Sequence, residues 1–237
     1  MPPITLILLP GMDGTSDLFR PFTEAMDRQF NIQTVRYACD QAMGYQELVV
    51  QVRAQLPVNE YFVLIGESFS GPIAIELAAE HNPQLLGLVL CCTFVRNPRT
   101  MLSWLRPLIN AIPFVKPPLS LLSYLLLGKF STPALQLALS TAVRQVTPRV
   151  MKARLNAVLN VDVTPQMAII KVPTLYLQAK DDRLVPSSSS QYICSANPKT
   201  QIVEIDGPHC LLQTAPAAAA KVVIAFVHSF SSISATS

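Results

Sequence analysis

Short apolar runs alternate with longer helical segments over most of the chain, and this alternation limits the folds that it can adopt. The runs are mostly continuous in hydrophobicity, which is typical of parallel strands covered by helices on both faces. Strands are predicted at Ile4–Leu9, Ile32–Tyr37, Tyr61–Ile65, Leu86–Phe94, Pro173–Gln178 and Gln201–Ile205. Helices are predicted at Leu18–Met26, Tyr45–Leu56, Ile73–His81 and Ala215–Phe230. This order favours an α/β fold with an open, doubly wound, mostly parallel sheet.

One segment, residues 95–161, interrupts the alternation. It contains leucine-rich helical stretches broken by prolines, and we find no convincing strand in it. We therefore expect a core of residues 1–94 and 162–237 and a helical cap or lid insertion at 95–161. Between Glu80 and Asp162 the chain has nine basic residues and no Asp or Glu. The nine are Arg96, Arg99, Arg106, Lys116, Lys129, Arg144, Arg149, Lys152 and Arg154.

Composition narrows the class of protein. Of the 237 residues, 50% are hydrophobic and 14% are charged, which excludes a disordered chain and predicts a large core. The net charge of +3 is too small to suggest a nucleic-acid-binding protein. The N-terminus has no basic region before its first apolar run, and no apolar run reaches about 18 residues, so neither a signal peptide nor a spanning helix is expected. The five cysteines form no CxxC pair, which indicates reduced thiols and a cytoplasmic protein.

The strongest functional signal is the segment LIGESFSG at Leu64–Gly71, between a predicted strand and a predicted helix. A serine on such a sharp turn is held clear of the sheet, provided that the residues two positions before and after it are small. Gly66 and Ser70 meet this condition. The segment resembles the nucleophile elbow of the α/β-hydrolase family and implies that Ser68 is the nucleophile, although the family more often has glycine where Ser70 stands. A buried serine in an ordinary strand–turn–helix is the plainer alternative.

A serine nucleophile needs a neighbouring base, and the chain has three histidines. His209 follows the last predicted strand, which is where the α/β-hydrolase resemblance implies the base. His81 ends a predicted helix and is expected to face solvent. His228 lies within the final helix, where a surface or packing role is expected.

The resemblance also implies an acid on the loop after the preceding strand. The segment AKDDRLVP aligns Asp182 with that acid and places Ala179 where the family usually has glycine. Asp181 is the local alternative. Asp162 is a weaker one, and we expect it to be a structural turn or cap-hinge residue. The chain order of serine, aspartate and histidine is that of α/β-hydrolases.

Acyl transfer also needs hydrogen-bond donors for the developing oxyanion. The resemblance implies that one is the backbone N–H of Phe69, directly after the nucleophile. The other would be the N–H of Met12, in the turn LLPGMDGT, where Pro10 replaces the histidine usual in the family. A glycine-rich turn with no such role is the alternative.

These residues predict a serine hydrolase of the carboxylesterase or thioesterase type, acting through an acyl-serine intermediate on a small acyl ester. The resemblance implies a sheet of about six strands. No phosphate-binding or zinc-binding motif is present, so we expect no cofactor and no metal site. A leucine- and proline-rich cap implies an apolar acyl pocket. The alternatives are an esterase acting on chains carried by acyl carrier protein and a non-catalytic ligand receptor with this fold. The oligomeric state is not indicated.

The basic residues of the insertion admit two interpretations. They keep an apolar segment soluble, or they contact an anionic partner such as acyl carrier protein, a CoA-like phosphate or an acidic membrane surface. In the second case we expect docking on residues among Arg96, Arg99, Arg144, Arg149 and Arg154.

Overall fold

A six-stranded parallel sheet forms the centre of the protein in the computed structural model, which describes residues 4–26, 30–99 and 117–233. The strands are β1 (Thr5–Leu9), β2 (Asn31–Thr34), β3 (Phe62–Glu67), β4 (Leu85–Cys91), β5 (Thr174–Ala179) and β6 (Gln201–Ile205). Their order across the sheet is β2-β1-β3-β4-β5-β6, and every neighbouring pair is parallel. The predicted α/β sheet of about six strands is confirmed.

Ten α-helices lie in the described ranges. They are α1 (Arg20–Ala25), α2 (Tyr45–Arg53), α3 (Gly71–Ala79), α4 (Leu119–Leu126), α5 (Pro133–Gln145), α6 (Pro148–Asn160), α7 (Thr164–Ile169), α8 (Ser188–Ala196), α9 (Leu211–Thr214) and α10 (Pro216–Ile233). The predicted helices correspond to α1, α2, α3 and α10, with α1 preceded by a 3₁₀ turn at Asp17–Phe19. Helix α8 was not predicted, because its serine-rich start is typical of a loop.

Hydrophobic layers cover both faces of the sheet. Leu64 of β3 packs with residues of α2 and α3 on one face, such as Leu48 and Ile73. Val63, its neighbour in the strand, packs on the other face with residues of α1 and α10. Because successive strand residues point to opposite faces, a continuous apolar run is what such a doubly covered sheet requires.

Two predicted strands end earlier than expected. The chain leaves β2 after Thr34, and the N–H of Tyr37 then donates to the carbonyl of Gly14, at 2.8 Å. Strand β4 ends at Cys91, because Cys92 has a φ of +48° and leaves the extended conformation. In both places the backbone turns toward the loops that carry the candidate site.

The predicted insertion joins the core at a short antiparallel contact. Val163 donates its N–H to the carbonyl of Val95 at 2.7 Å, and Asn97 donates to that of Val161 at 3.3 Å. Helices α4, α5 and α6 lie between these points, while residues 100–116, with Arg106 and Lys116, lie outside the described residues.

Two prolines of the insertion start helices. Pro133 and Pro148 occupy the first positions of α5 and α6, where a missing N–H costs nothing. The preceding residues, Thr132 and Thr147, cap these helices with their side-chain oxygens. Within the described ranges, no helix is both long and apolar enough to cross a membrane.

Candidate active site

Ser68 lies on the sharp turn between β3 and α3. Its φ of +50° is in the left-handed region, which a residue other than glycine seldom adopts without a constraint from its surroundings. The turn is closely packed: a Cβ atom on Gly66 would lie 2.9 Å from the Cβ of Ala74 and 3.0 Å from the carbonyl oxygen of Ser70. A Cβ on Gly71 would collide with the side chain of Thr93. Packing therefore requires glycine at positions 66 and 71.

Ser70 has a role that a glycine could not fill. Its side chain is fully buried, and its hydroxyl donates to the carbonyl oxygen of Pro10. The hydroxyl of Tyr37 lies 2.7 Å from the same Ser70 oxygen. The residue at which this chain departs from the family pattern thus ties the elbow to the turn after β1.

The structure brings together the three residues predicted as nucleophile, base and acid. The Oγ of Ser68 lies 2.7 Å from Nε2 of His209, and Nδ1 of His209 lies 2.8 Å from Oδ2 of Asp182. The His209 and Asp182 side chains are only 5% and 6% exposed. The other oxygen of Asp182 accepts hydrogen bonds from the N–H groups of Leu184 and Val185, at 2.8 and 2.9 Å, which fixes the carboxylate.

The alternative candidates lie elsewhere. Asp181 turns outward and forms an ion pair with Lys129 at 2.8 Å. Asp162 accepts a hydrogen bond from the N–H of Thr164 at the start of α7, as a structural turn residue would. His81 and His228 are exposed.

The electrostatic environment favours a protonated His209. Burial opposes the charge on the imidazole, but the neighbouring Asp182 carboxylate, through its charge and its hydrogen bond, and the charge of Glu67 outweigh it. The pKa of His209 is therefore raised above its ordinary value. An imidazole of this kind readily accepts a proton from a hydroxyl at hydrogen-bond distance.

The turn after β1 lies beside Ser68. Gly14 donates its N–H to the carbonyl of Gly11 at 3.0 Å, and the Asp13 carboxylate accepts from the N–H of Thr15 at 2.9 Å. Met12 lines the same cavity as Ser68. Phe69 is buried, with its ring stacked on Tyr45 at a centroid distance of 4.8 Å. That the N–H groups of Met12 and Phe69 bind an oxyanion stays a prediction.

Above the serine lies a cavity of about 270 Å³. Its walls are largely apolar and come from both the core and the helices of the insertion. The apolar residues are Met12, Leu18, Pro117, Leu122, Leu125, Leu126, Leu139, Val143, Met151, Leu155 and Leu184. The polar residues lie together at the base of the cavity. They are Ser68, His209, Asp13, Glu67 and Gln213.

Glu67 was not identified from the sequence. It ends β3 directly before Ser68, is 6% exposed, and its Oε2 lies 3.4 Å from Nε2 of Gln213. Burial raises its pKa to about 7, the negative charge of Asp13 acts in the same direction, and Gln213 and His209 oppose them. The sequence feature that points to Glu67 as a buried carboxyl group at the site is its position at the end of a buried strand, directly before the predicted nucleophile.

Several basic residues of the insertion have partners within the chain. Arg154 is 2% exposed and is hydrogen-bonded to backbone carbonyls, so its expected part in docking an anionic partner is wrong. Arg99 donates to the carbonyls of Arg183 and Leu184, and the Arg96 guanidinium stacks on Tyr192 at 3.5 Å from the ring centroid. Docking of an anionic partner on the remaining basic residues stays a prediction.

A parallel sheet with a serine elbow after its central strand, facing a histidine and an aspartate on the following loops, defines an α/β-hydrolase. A family model described as serine aminopeptidase, S33, matches residues 33–212, and the chain belongs to this family of serine hydrolases. The protein named "Putative carbamate hydrolase RutD" from Serratia proteamaculans is 28% identical over 238 residues, which cover 89% of this chain and 85% of that protein.

Solved structures agree on the fold. A hydrolase from Oleispira antarctica superposes with a TM-score of 0.78 at 19% identity, covering 95% of this chain and 91% of that one. A carboxylesterase from Nitrososphaera gargenis gives a TM-score of 0.81 at 12% identity, covering 98% and 92%. This common fold agrees with the match to the family model, which makes the protein a serine hydrolase of the α/β-hydrolase superfamily.

Proposed function

We propose that this protein is a carboxylic ester hydrolase that cleaves esters or thioesters of apolar acyl groups through an acyl-serine intermediate on Ser68. The observation that supports this most is the chain of hydrogen bonds from Ser68 to His209 to Asp182, at the base of a cavity lined mainly by leucines. A buried serine without catalytic function would need neither the strained turn nor a base held by a fixed carboxylate.

In acylation, the Oγ of Ser68 attacks the acyl carbon while His209 Nε2 takes the hydroxyl proton. Asp182 holds the imidazole in the tautomer that accepts at Nε2 and stabilises the cation that forms. The carbonyl oxygen becomes an oxyanion, which accepts hydrogen bonds from the N–H groups of Met12 and Phe69. When this tetrahedral intermediate collapses, the bond between the acyl carbon and the leaving group breaks. His209 then gives the proton that it took from Ser68 to the departing alcohol or thiol, and the acyl-serine remains.

Deacylation repeats these steps with water. His209 takes a proton from the water molecule, and the resulting hydroxide attacks the acyl carbon attached to Ser68. The second oxyanion collapses, the bond between the acyl carbon and Oγ breaks, and His209 gives the proton back to Ser68. The products are the free acid and the original enzyme.

Residues 95–161 act as a cap over this site in our proposal. Helices α4, α5 and α6 supply Leu126, Val143 and Leu155 to the cavity wall, among others. A wall of this kind removes an acyl chain from water at a gain of about 0.8 kcal/mol for each buried methylene. The value of kcat/KM should therefore increase roughly fourfold with each methylene until the cavity is full.

A series of p-nitrophenyl esters tests the proposal. We expect kcat/KM to increase from acetyl to butyryl and hexanoyl esters, and a fluorophosphonate probe to label Ser68 alone. Folded protein that neither hydrolyses any ester of the series nor is labelled at Ser68 would overturn the proposal.

The similarity to the relative that is named a carbamate hydrolase supports a second candidate function, the hydrolysis of a carbamate at the same serine. The two substrates are distinguished by the stability of the intermediate, because a carbamoyl-serine loses its acyl group much more slowly than an ordinary ester. The experiment compares the p-nitrophenyl esters with a p-nitrophenyl carbamate. If the enzyme is an esterase, the carbamate should give one burst of nitrophenol, as Ser68 is carbamoylated, and then little turnover. Sustained turnover of the carbamate, faster than that of the esters, would favour the second candidate.

A further inference from the structure

Arg154 connects the insertion to the turn after β1 through a buried guanidinium. It projects from helix α6, and its Nη1 donates to the carbonyl oxygens of Met12 and Asp13, at 2.8 and 2.9 Å. Its Nη2 donates to the carbonyl of Ala38, in the loop after β2, at 3.0 Å. The planar guanidinium donates to three peptide groups from two separate nitrogens, whereas a lysine would donate from a single compact ammonium on a flexible chain and would not reproduce this spacing.

The turn is shaped to receive this side chain. Gly14 has a φ of +70°, and a Cβ atom there would lie 2.7 Å from Nη1 of Arg154. A side chain at this position would therefore strain the backbone and displace the guanidinium. Burial lowers the pKa of the Arg154 guanidinium, and the negative charge of the Asp13 carboxylate, in the same turn, opposes this effect and favours the buried cation. The hydrogen bonds, the glycine and the carboxylate together show that the turn and the arginine are fitted to each other.

Arg154 lies behind the cavity wall. Met151 and Leu155, which are four residues apart on one face of α6, line the cavity, whereas Arg154 does not. The arginine therefore influences a bound substrate only through the groups that it holds. Two of the three are the peptides that follow Met12, and the third follows Ala38. The N–H of Met12 is one of the two proposed oxyanion donors.

The position of that donor is critical for the reaction. A donor stabilises an oxyanion only when it is about 2.7–3.1 Å from the oxygen in the transition state. A displacement of about 1 Å can reduce the rate roughly 10²-fold. A turn of this kind needs fixed anchors, and Arg154 holds two successive carbonyls directly after the donor.

We propose that Arg154 is a positioning residue, which holds the Met12 N–H in the geometry that binds the oxyanion and so couples helix α6 to catalysis. The inference rests on the proposed ester hydrolysis. Helix α6 then has two linked functions: it forms part of the acyl-binding wall through Met151 and Leu155, and it orders the oxyanion turn. A shift of the helix would alter both the acyl pocket and the donor.

The test measures steady-state hydrolysis of p-nitrophenyl butyrate by wild type, Arg154→Lys and Arg154→Met, with rates expressed per active serine titrated by a fluorophosphonate. We expect kcat per active serine to fall about 10- to 100-fold in Arg154→Met, and by less than this but by more than about threefold in Arg154→Lys. KM should stay within about threefold, because the acyl wall is retained. Arg20→Met is the matched control, since Arg20 is exposed on α1, where it pairs with Glu24 one helical turn away.

A purely structural role gives a different result. It would lower the melting temperature and the titrated fraction of Arg154→Met, yet leave kcat per active serine within about threefold of wild type, which would overturn the proposal. If Arg154→Met does not fold, Arg154→Lys decides the question by the same criterion. If wild type hydrolyses no ester, the proposed function fails, whereas unchanged kcat in the Arg154 variants of an active enzyme refutes only this inference.

Discussion

Gln213 Nε2 lies 3.4 Å from Oε2 of Glu67, and this long hydrogen bond joins two buried side chains at the base of the cavity. Glu67 is thus a third carboxyl group close to the proposed catalytic residues, in addition to Asp182 and Asp13. Its pKa of about 7 means that its charge changes in the range where the enzyme is expected to work. Burial of Glu67, which the hydrogen bond from Gln213 opposes only in part, therefore adds a group that titrates near neutral pH to the serine, histidine and aspartate.

We predict that Glu67→Gln moves the acidic limb of the kcat/KM profile to lower pH. The negative charge of Glu67 raises the pKa of His209, so a neutral glutamine lowers it, and the imidazole then remains available as a base at lower pH. The shift should be smaller than one pH unit, because Glu67 is itself largely protonated below pH 7. A profile that is unchanged, or that moves to higher pH, would contradict this coupling.

The same substitution should affect stability in a pH-dependent manner. The pKa of Glu67 is raised in the folded state from an ordinary value of 4.5, so the folded protein binds this proton more tightly than the unfolded chain. Its contribution to stability is therefore lost as pH rises from about 4.5 to about 7. We expect the melting temperature of Glu67→Gln, relative to wild type, to be higher at about pH 8 than at about pH 5. A difference that is constant across this range would show that Glu67 does not titrate there.

Ser68→Ala and His209→Ala should each remove nearly all hydrolysis of p-nitrophenyl butyrate. The nucleophile and its base act as a unit, so the double variant should be little slower than either single variant. Steady-state assays with all three proteins, checked for folding by circular dichroism, measure this. Activity of Ser68→Ala above roughly a tenth of wild type would show that another group is the nucleophile.

The adjacent aspartates provide a matched pair. Asp182→Asn should reduce kcat on the order of 10⁴-fold, because the amide favours the wrong tautomer of His209. Asp181→Asn makes the same chemical change one residue away, where the side chain pairs with Lys129, and should alter kcat less than about threefold. If the two effects were reversed, the assignment of the acid on this loop would be wrong by one residue.

Much of the fold and of the candidate site could be predicted because the relevant residues lie at strand ends with recognisable local sequence. Ser68 is marked by Gly66 and the elbow pattern, and His209 and Asp182 follow apolar strands. The sequence also predicts that the insertion is helical, because its leucine-rich stretches and the prolines between them are local features that can be recognised without knowing any long-range contact.

Long-range contacts could not be read in this way. Arg154 is 142 residues from Met12. From the sequence alone it cannot be distinguished from the other basic residues of the insertion, which are expected at the surface. Its burial depends on the fold of the helix that carries it and on the open backbone at Gly14. Glu67 is similar, because its pKa depends on enclosure by residues far along the chain such as Gln213.

The final prediction concerns Ser70, where the chain has serine in place of the usual glycine. In Ser70→Gly the elbow keeps its small residue, but the hydroxyl of Tyr37 loses its partner at a fully buried position. An unsatisfied buried hydroxyl costs about 1–3 kcal/mol, so denaturant unfolding should show a loss of stability in that range. Tyr37→Phe removes the other partner, and the double variant should be less destabilised than the sum of the two single variants, because no hydroxyl is then left unpaired. Strict additivity of the two losses would indicate that the hydrogen bond between Tyr37 and Ser70 contributes nothing to the elbow.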